Sequence, residues 1–118
     1  MGYVDGYLIP VLAGNKQAYR EMAIKAAKIF IQHGALRVVE GWGDDVPHGK
    51  HTDFYRAVAA EGEENLVFSW IEWPSKEKRD EGMKKVMADP SMQPGSDLPF
   101  DGKRLIFGGF MPLVDMKA

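Results

Sequence analysis

The stretch Leu66-Val67-Phe68-Ser69-Trp70-Ile71-Glu72-Trp73-Pro74-Ser75 decides the fold. It reads as a strand that stops at Pro74, with Ser75 opening a helix. Leu66, Phe68 and Trp70 point one way, and Val67, Ile71 and Trp73 point the other. A strand with one wet face alternates apolar and polar residues. This one does not, so both of its faces are expected to be buried.

The segments around it share the pattern. Tyr3 to Leu12 reads as a strand, with Pro10 marking an edge or the end of regular pairing. Asn15 is the expected cap of a helix whose stripe is Tyr19, Met22, Ala23, Ala26, Ala27 and Phe30, with Gly34 just past its end. Ala35 to Gly43 is a second strand, and Asp44 to Thr52 is a polar loop. Asp53 to Ala60 fits a turn or two of helix, or a short strand. Glu61 to Asn65 is an acidic turn. The charged stretch from Ser75 to Ala88 reads as a helix with few apolar positions (Met83, Val86 and Met87). Asp80 with Lys84 and Glu81 with Lys85 are at the favourable helical spacing. Ser91 to Asp101, with Pro94, Gly95 and Pro99, is an irregular connection. Lys103 to Val114 is the last strand, and Gly108-Gly109 within it points to a bulge or a close approach.

Strand, helix, strand, a short piece, strand, helix, strand is the order of a ferredoxin-like βαββαβ domain. The expected fold is α+β, one four-stranded antiparallel sheet with two helices on one face. All 118 residues fit a single domain. Two helices shelter one face only, and large apolar side chains stand on both. The remaining face would be a large exposed patch, which soluble monomers avoid. A second copy packed face to face is the simplest cover, so a homodimer is expected.

Composition narrows the chemistry. Apolar residues make up 45%, charged residues 27%, and the net charge is −2. That balance gives no electrostatic reason to expect nucleic acid or an anionic membrane. With no cysteine, disulfides and thiolate catalysis are ruled out. Met1 to Pro10 has no basic region and carries Asp5, unlike a secretory signal, and no apolar run approaches a membrane span. A cytoplasmic protein is the expectation.

Blocks of sequence along nearly the whole chain resemble one family. They are Tyr3-Val4-Asp5-Gly6-Tyr7, Tyr19-Arg20-Glu21-Met22-Ala23, Gly34-Ala35-Leu36-Arg37, Asp45-Val46-Pro47 with Thr52-Asp53-Phe54, Val67 to Glu72, and Pro99 to Arg104 with Gly108-Gly109-Phe110. Together they look like the YbaA-like family of bacterial proteins. The resemblance implies a dimeric α+β barrel and no established activity. The wider superfamily includes cofactor-free monooxygenases and stress-response proteins, so by fold analogy a small-molecule pocket is implied.

Glu40 and Glu72 interrupt apolar strands, each on the parity of a tryptophan, Trp42 and Trp70 respectively. A carboxylate in a dry, aromatic-lined cavity has a raised pKa and suits acid or base work. The preferred reading is plainer: each pairs with an arginine such as Arg37 or Arg104, or sits at a wet strand end. Catalytic candidates are thus Glu40 and Glu72, and Arg37, Trp42, Ser69, Trp70 and Arg104 are candidates for contacting a small organic ligand. Asp5 is read with the polar strand residues as part of an interface or structural network. Asp44, Asp45, His48, His51 and Asp53 crowd one loop, where a solvated loop is preferred to a metal site. No metal and no tightly held cofactor are expected. The leading function is a small-molecule-binding dimer, an enzyme without cofactor if it has an activity. A non-catalytic, stress-associated dimer is the alternative, and RNA binding through Lys103 to Phe110 is a weaker one.

Overall fold

The structure, a computed structural model, describes residues 2–92 and 98–118. Four strands are present: β1 (Tyr3–Leu12), β2 (Arg37–Trp42), β3 (Glu64–Trp73) and β4 (Ile106–Phe110). Among the described residues, three α-helices accompany them: α1 (Lys16–Gln32), α2 (Phe54–Ala57) and α3 (Lys76–Ala88). The sheet order is β2-β3-β1-β4 with every pair antiparallel. This is the ferredoxin-like arrangement expected from the element order.

The run Leu66–Trp73 lies in β3, a central strand. Its odd positions, Val67, Ser69, Ile71 and Trp73, lie on the helix-covered face and are buried. There Ile9, Val11, Tyr19, Ala23 and Val67 form one cluster, and Tyr3, Ala35, Ile71 and Trp73 a second, with Phe30 and Met83 against it. α3 comes down close because Gly82 faces Trp73. A Cβ at 82 would crowd the indole and stand 2.6 Å from the His33 carbonyl oxygen.

The even face of β3 behaves differently. The segment after β2 folds over one end of it, where Leu8, Val58 and Leu66 pack with Val46 and Tyr55. Asp53 caps α2, its Oδ1 accepting from the Arg56 N–H at 2.8 Å, which makes this piece a helix. The rest of the face is open: Phe68 is 51% and Phe110 59% exposed. Burial of both faces of β3 therefore fails within one chain.

Further local expectations are corrected. Asn15 does not cap α1; its amide donates to the Pro99 carbonyl at 3.3 Å. Ser75 does cap α3, its Oγ accepting from the Lys78 N–H. Among the described residues, the ion pairs within α3 are Lys76–Asp80 at 2.9 Å, Arg79–Asp80 at 3.0 Å and Lys78–Glu81 at 3.9 Å, in place of the two expected from spacing. Pro10 lies past the end of β4, where β1 has lost its neighbour on that side but still pairs with β3. The last strand is only Ile106–Phe110, and its register runs through Gly108 and Gly109 without a bulge. Gly109 serves close approach instead: a Cβ there would crowd the Tyr3 ring and stand 2.9 Å from Arg79 Nη2. Pro94 and Gly95 lie outside the described residues.

Candidate functional site

On the helix side, the strand register lines up Phe107, Tyr7, Ser69 and Glu40 in one row across all four strands. α1 lies over the Glu40 end of this row. Its Tyr19 donates a hydrogen bond from Oη to Glu40 Oε1 at 2.6 Å, and Ser69 hydrogen-bonds the same carboxylate. Tyr7 stacks on Phe107 with ring centroids 6.0 Å apart.

A groove of about 340 Å³ runs between α1 and β2 beside Glu40. Ala23, Ile24, Ala27, Val38, Trp42 and Val67 give it apolar walls. Lys16 and Arg20 stand at its rim, and the Lys16 ammonium lies 5.4 Å from the centre of the Trp42 ring.

The electrostatics follow from this setting. Glu40 is an exposed residue, not one enclosed in a dry cavity, and its carboxylate beside Tyr19 and Ser69 has lost only part of its hydration. That loss raises its pKa above the ordinary glutamate value, against the hydrogen bonds from Tyr19 and Ser69, which favour the charged form. Burial also raises Tyr19, with the Glu40 charge adding to it. Tyr7 is pushed up to about 12, mainly by burial and then by the Asp5 charge. Both phenols are therefore neutral donors near neutral pH. Glu40 is the member of this row whose proton is most easily exchanged.

Glu72 and Trp70 are on the opposite face of the sheet. Trp70 Nε1 donates to Glu72 Oε2 at 2.9 Å, and Arg37 Nη1 lies 3.7 Å from the same oxygen. The two candidate glutamates are thus separated by the sheet itself. Glu40 comes together with Trp42 and Ser69, and Glu72 with Trp70 and Arg37. Arg104 joins neither group. It holds Glu64 through two 2.6 Å hydrogen bonds, and also binds Asp101 and the Ala59 carbonyl.

In the sequence Tyr7 and Tyr19 carry little sign of this role, because a tyrosine in an apolar stripe looks like core. The parity of Tyr7 with Asp5 was the available signal. Asp5 is itself buried and accepts from Trp73 Nε1 at 2.9 Å and from Arg79 Nη2 at 2.8 Å. In the polar loop, His48 stacks on Tyr55 with centroids 4.2 Å apart, and Asp53 is committed to capping. Among the described residues no group of three or more histidines and carboxylates is placed to hold a metal. No helix among them is long and apolar enough to cross a membrane.

Sheet order and helix placement define an α+β domain of the ferredoxin-like type. A solved structure shares that fold: an uncharacterized NIPSNAP domain protein from Burkholderia xenovorans, with a TM-score of 0.57 at 15% identity, covering 98% of this chain and 99% of that one. Residues 2–102 match the family described as "Protein of unknown function (DUF1428)", and the chain belongs to that family. It is 58% identical over 116 residues to the uncharacterized protein YbaA of Escherichia coli K12, covering 98% of this chain and 99% of the relative. The YbaA of Shigella flexneri matches equally well. The family resemblance read from the sequence blocks is thereby established.

Proposed function

We propose that this protein binds a small, largely apolar organic molecule in the groove between α1 and β2, with Glu40 as the group that shares or accepts a proton from it. The observation that carries this reading is the 2.6 Å hydrogen bond from Tyr19 to Glu40 at the wall of an apolar groove. A carboxylate with a raised pKa, steadied by a phenol that stays neutral, suits reversible proton transfer. Lys16 and Arg20 at the rim favour a ligand with one anionic end. The reading needs no bound cofactor.

We further infer that the open sheet face packs on a second copy of the chain. That face forms a trough of about 770 Å³ lined by Val4, Gly6, Phe68, Trp70, Ile106 and Phe110, with Phe54 at its side. An apolar surface of this kind on a soluble domain marks an interaction site.

Native mass spectrometry of freshly purified protein tests both parts. A dimer carrying a small molecule is expected. Glu40→Gln and Trp42→Ala should each lose that molecule while remaining folded. A co-purified molecule retained by both variants would remove the groove from the account.

A second reading, a non-catalytic dimer, is favoured by one observation. Among the described residues every buried side-chain nitrogen and oxygen already has a partner. Protein that binds no small molecule, yet is dimeric, would support this second reading.

A further inference from the structure

β4 runs antiparallel to β1 from Ile106, opposite Leu8, to Phe110, opposite Val4. Only Tyr3 and Gly2 of the described residues lie beyond Val4 in that direction. The chain that follows β4 has therefore run out of its own sheet. It is nevertheless apolar. Met111, Leu113, Val114 and Met116 are 72%, 97%, 74% and 86% exposed. Four large apolar side chains in six residues are far from the composition of a solvated tail. Pro112 also breaks any continuation of the ladder, because it has no N–H to give.

We propose that residues 111–118 form an arm that lies across the second copy of this chain, each copy receiving the other's arm. The inference rests on the face-to-face dimer proposed above, and three features support it. First, the arm is continuous with the trough: Phe110 lines the trough, and the arm begins at the next residue. Second, the trough by itself is small for a stable dimer. With roughly 200 Å² for each fully exposed large side chain, the exposed parts of Phe54, Phe68, Ile106 and Phe110 offer on the order of 400 Å², against about 800 Å² per partner in a typical interface. On the same roughly 200 Å² basis the arm adds on the order of 600 Å², which carries the total past that requirement. Third, the reach is sufficient. Eight extended residues span about 26 Å, and a four-stranded sheet is only about 15 Å across.

Sedimentation equilibrium over a dilution series tests the arm with three chains: the full chain, the chain ended after Phe110, and the full-length double variant Leu113→Ser with Met116→Ser. The double variant keeps the question open to test if the shortened chain fails to fold. The full chain is expected to be dimeric at micromolar concentration, with a dissociation constant that rises by roughly tenfold or more in each altered chain. An unchanged constant in the double variant would overturn the arm and leave the dimer standing. A monomeric full chain would overturn both. Because the protein has no cysteine, a bimane label on Leu113→Cys reports the arm alone. Its emission should shift to the red on dilution through the dissociation constant. Emission independent of concentration would mean that the arm stays in water or folds on its own chain, and either finding defeats the proposal.

Discussion

Trp73 donates its indole N–H to Asp5 at 2.9 Å, on the diagonal between paired strands β1 and β3. Arg79 of α3 meets the same carboxylate at 2.8 Å, and its guanidinium lies 5.2 Å from the centre of the Tyr3 ring. One buried carboxylate thus ties two central strands to a helix that has little apolar surface of its own. Removing it would leave the indole N–H and a partly buried guanidinium without their acceptor. Asp5→Ala is expected to destabilise the domain by about 3–5 kcal/mol. Urea unfolding followed by circular dichroism measures this, and a loss well under 1 kcal/mol would show that the pair is incidental.

Gly82 makes an opposite-sign test of packing against propensity. In an exposed helix, alanine would stabilise this position by about 1 kcal/mol relative to glycine. Here its methyl would press on the Trp73 ring and the His33 carbonyl. Gly82→Ala should therefore lower stability, by about 1–3 kcal/mol as in other overpacked cores. A rise in the thermal midpoint would show that α3 does not sit this close.

The raised pKa of Glu40 has a definite sign. Its folded-state pKa lies above the unfolded one, so the native state holds this proton more tightly. The resulting stability is fully present below the unfolded pKa and is lost as pH rises through the folded one. Glu40→Gln, which mimics the protonated side chain, should melt above the wild type at neutral pH. The gap should close as pH falls toward the ordinary glutamate range. Thermal melts of both proteins between pH 3 and pH 8 read this directly. Glu40→Gln melting below the wild type at neutral pH would mean that Tyr19 and Ser69 outweigh the lost hydration.

Phe68 tests the open face without touching the helix-side core. It is half exposed in the single chain and lies edge-on to Trp70 and Phe54. Phe68→Glu should leave the far-ultraviolet spectrum intact and dissociate the proposed dimer, since an unpaired charge would be enclosed between two apolar faces. A dimer unaffected by this change would place the interface elsewhere.

Much of the fold was legible because it follows from short-range pattern. The two-sided apolar run at 66–73, the stripe from Tyr19 to Phe30 and the cap at Ser75 each depend on residues within a turn or two of one another. The failures share one cause. Asn15 was drawn to the Pro99 carbonyl, 84 residues away, and the last strand stopped at Phe110 because β1 offered it almost no further partner. The separation of Glu40 from Glu72 is a matter of which face the helices cover. No single strand carries that information.

The sequence by itself determined the element order, the α+β class, the family and the surplus of apolar surface over helix available to hide it. The order, the class and the surplus depend on periodicity and composition, which are local or additive along the chain, and the family on matched blocks of sequence. Only the tertiary structure decided that Glu40 meets Tyr19 while Glu72 meets Arg37, that Asp5 anchors Arg79, and that residues 111–118 leave the sheet. Those outcomes depend on strand register and on which side the helices land, and both are fixed by contacts between residues far apart in the chain.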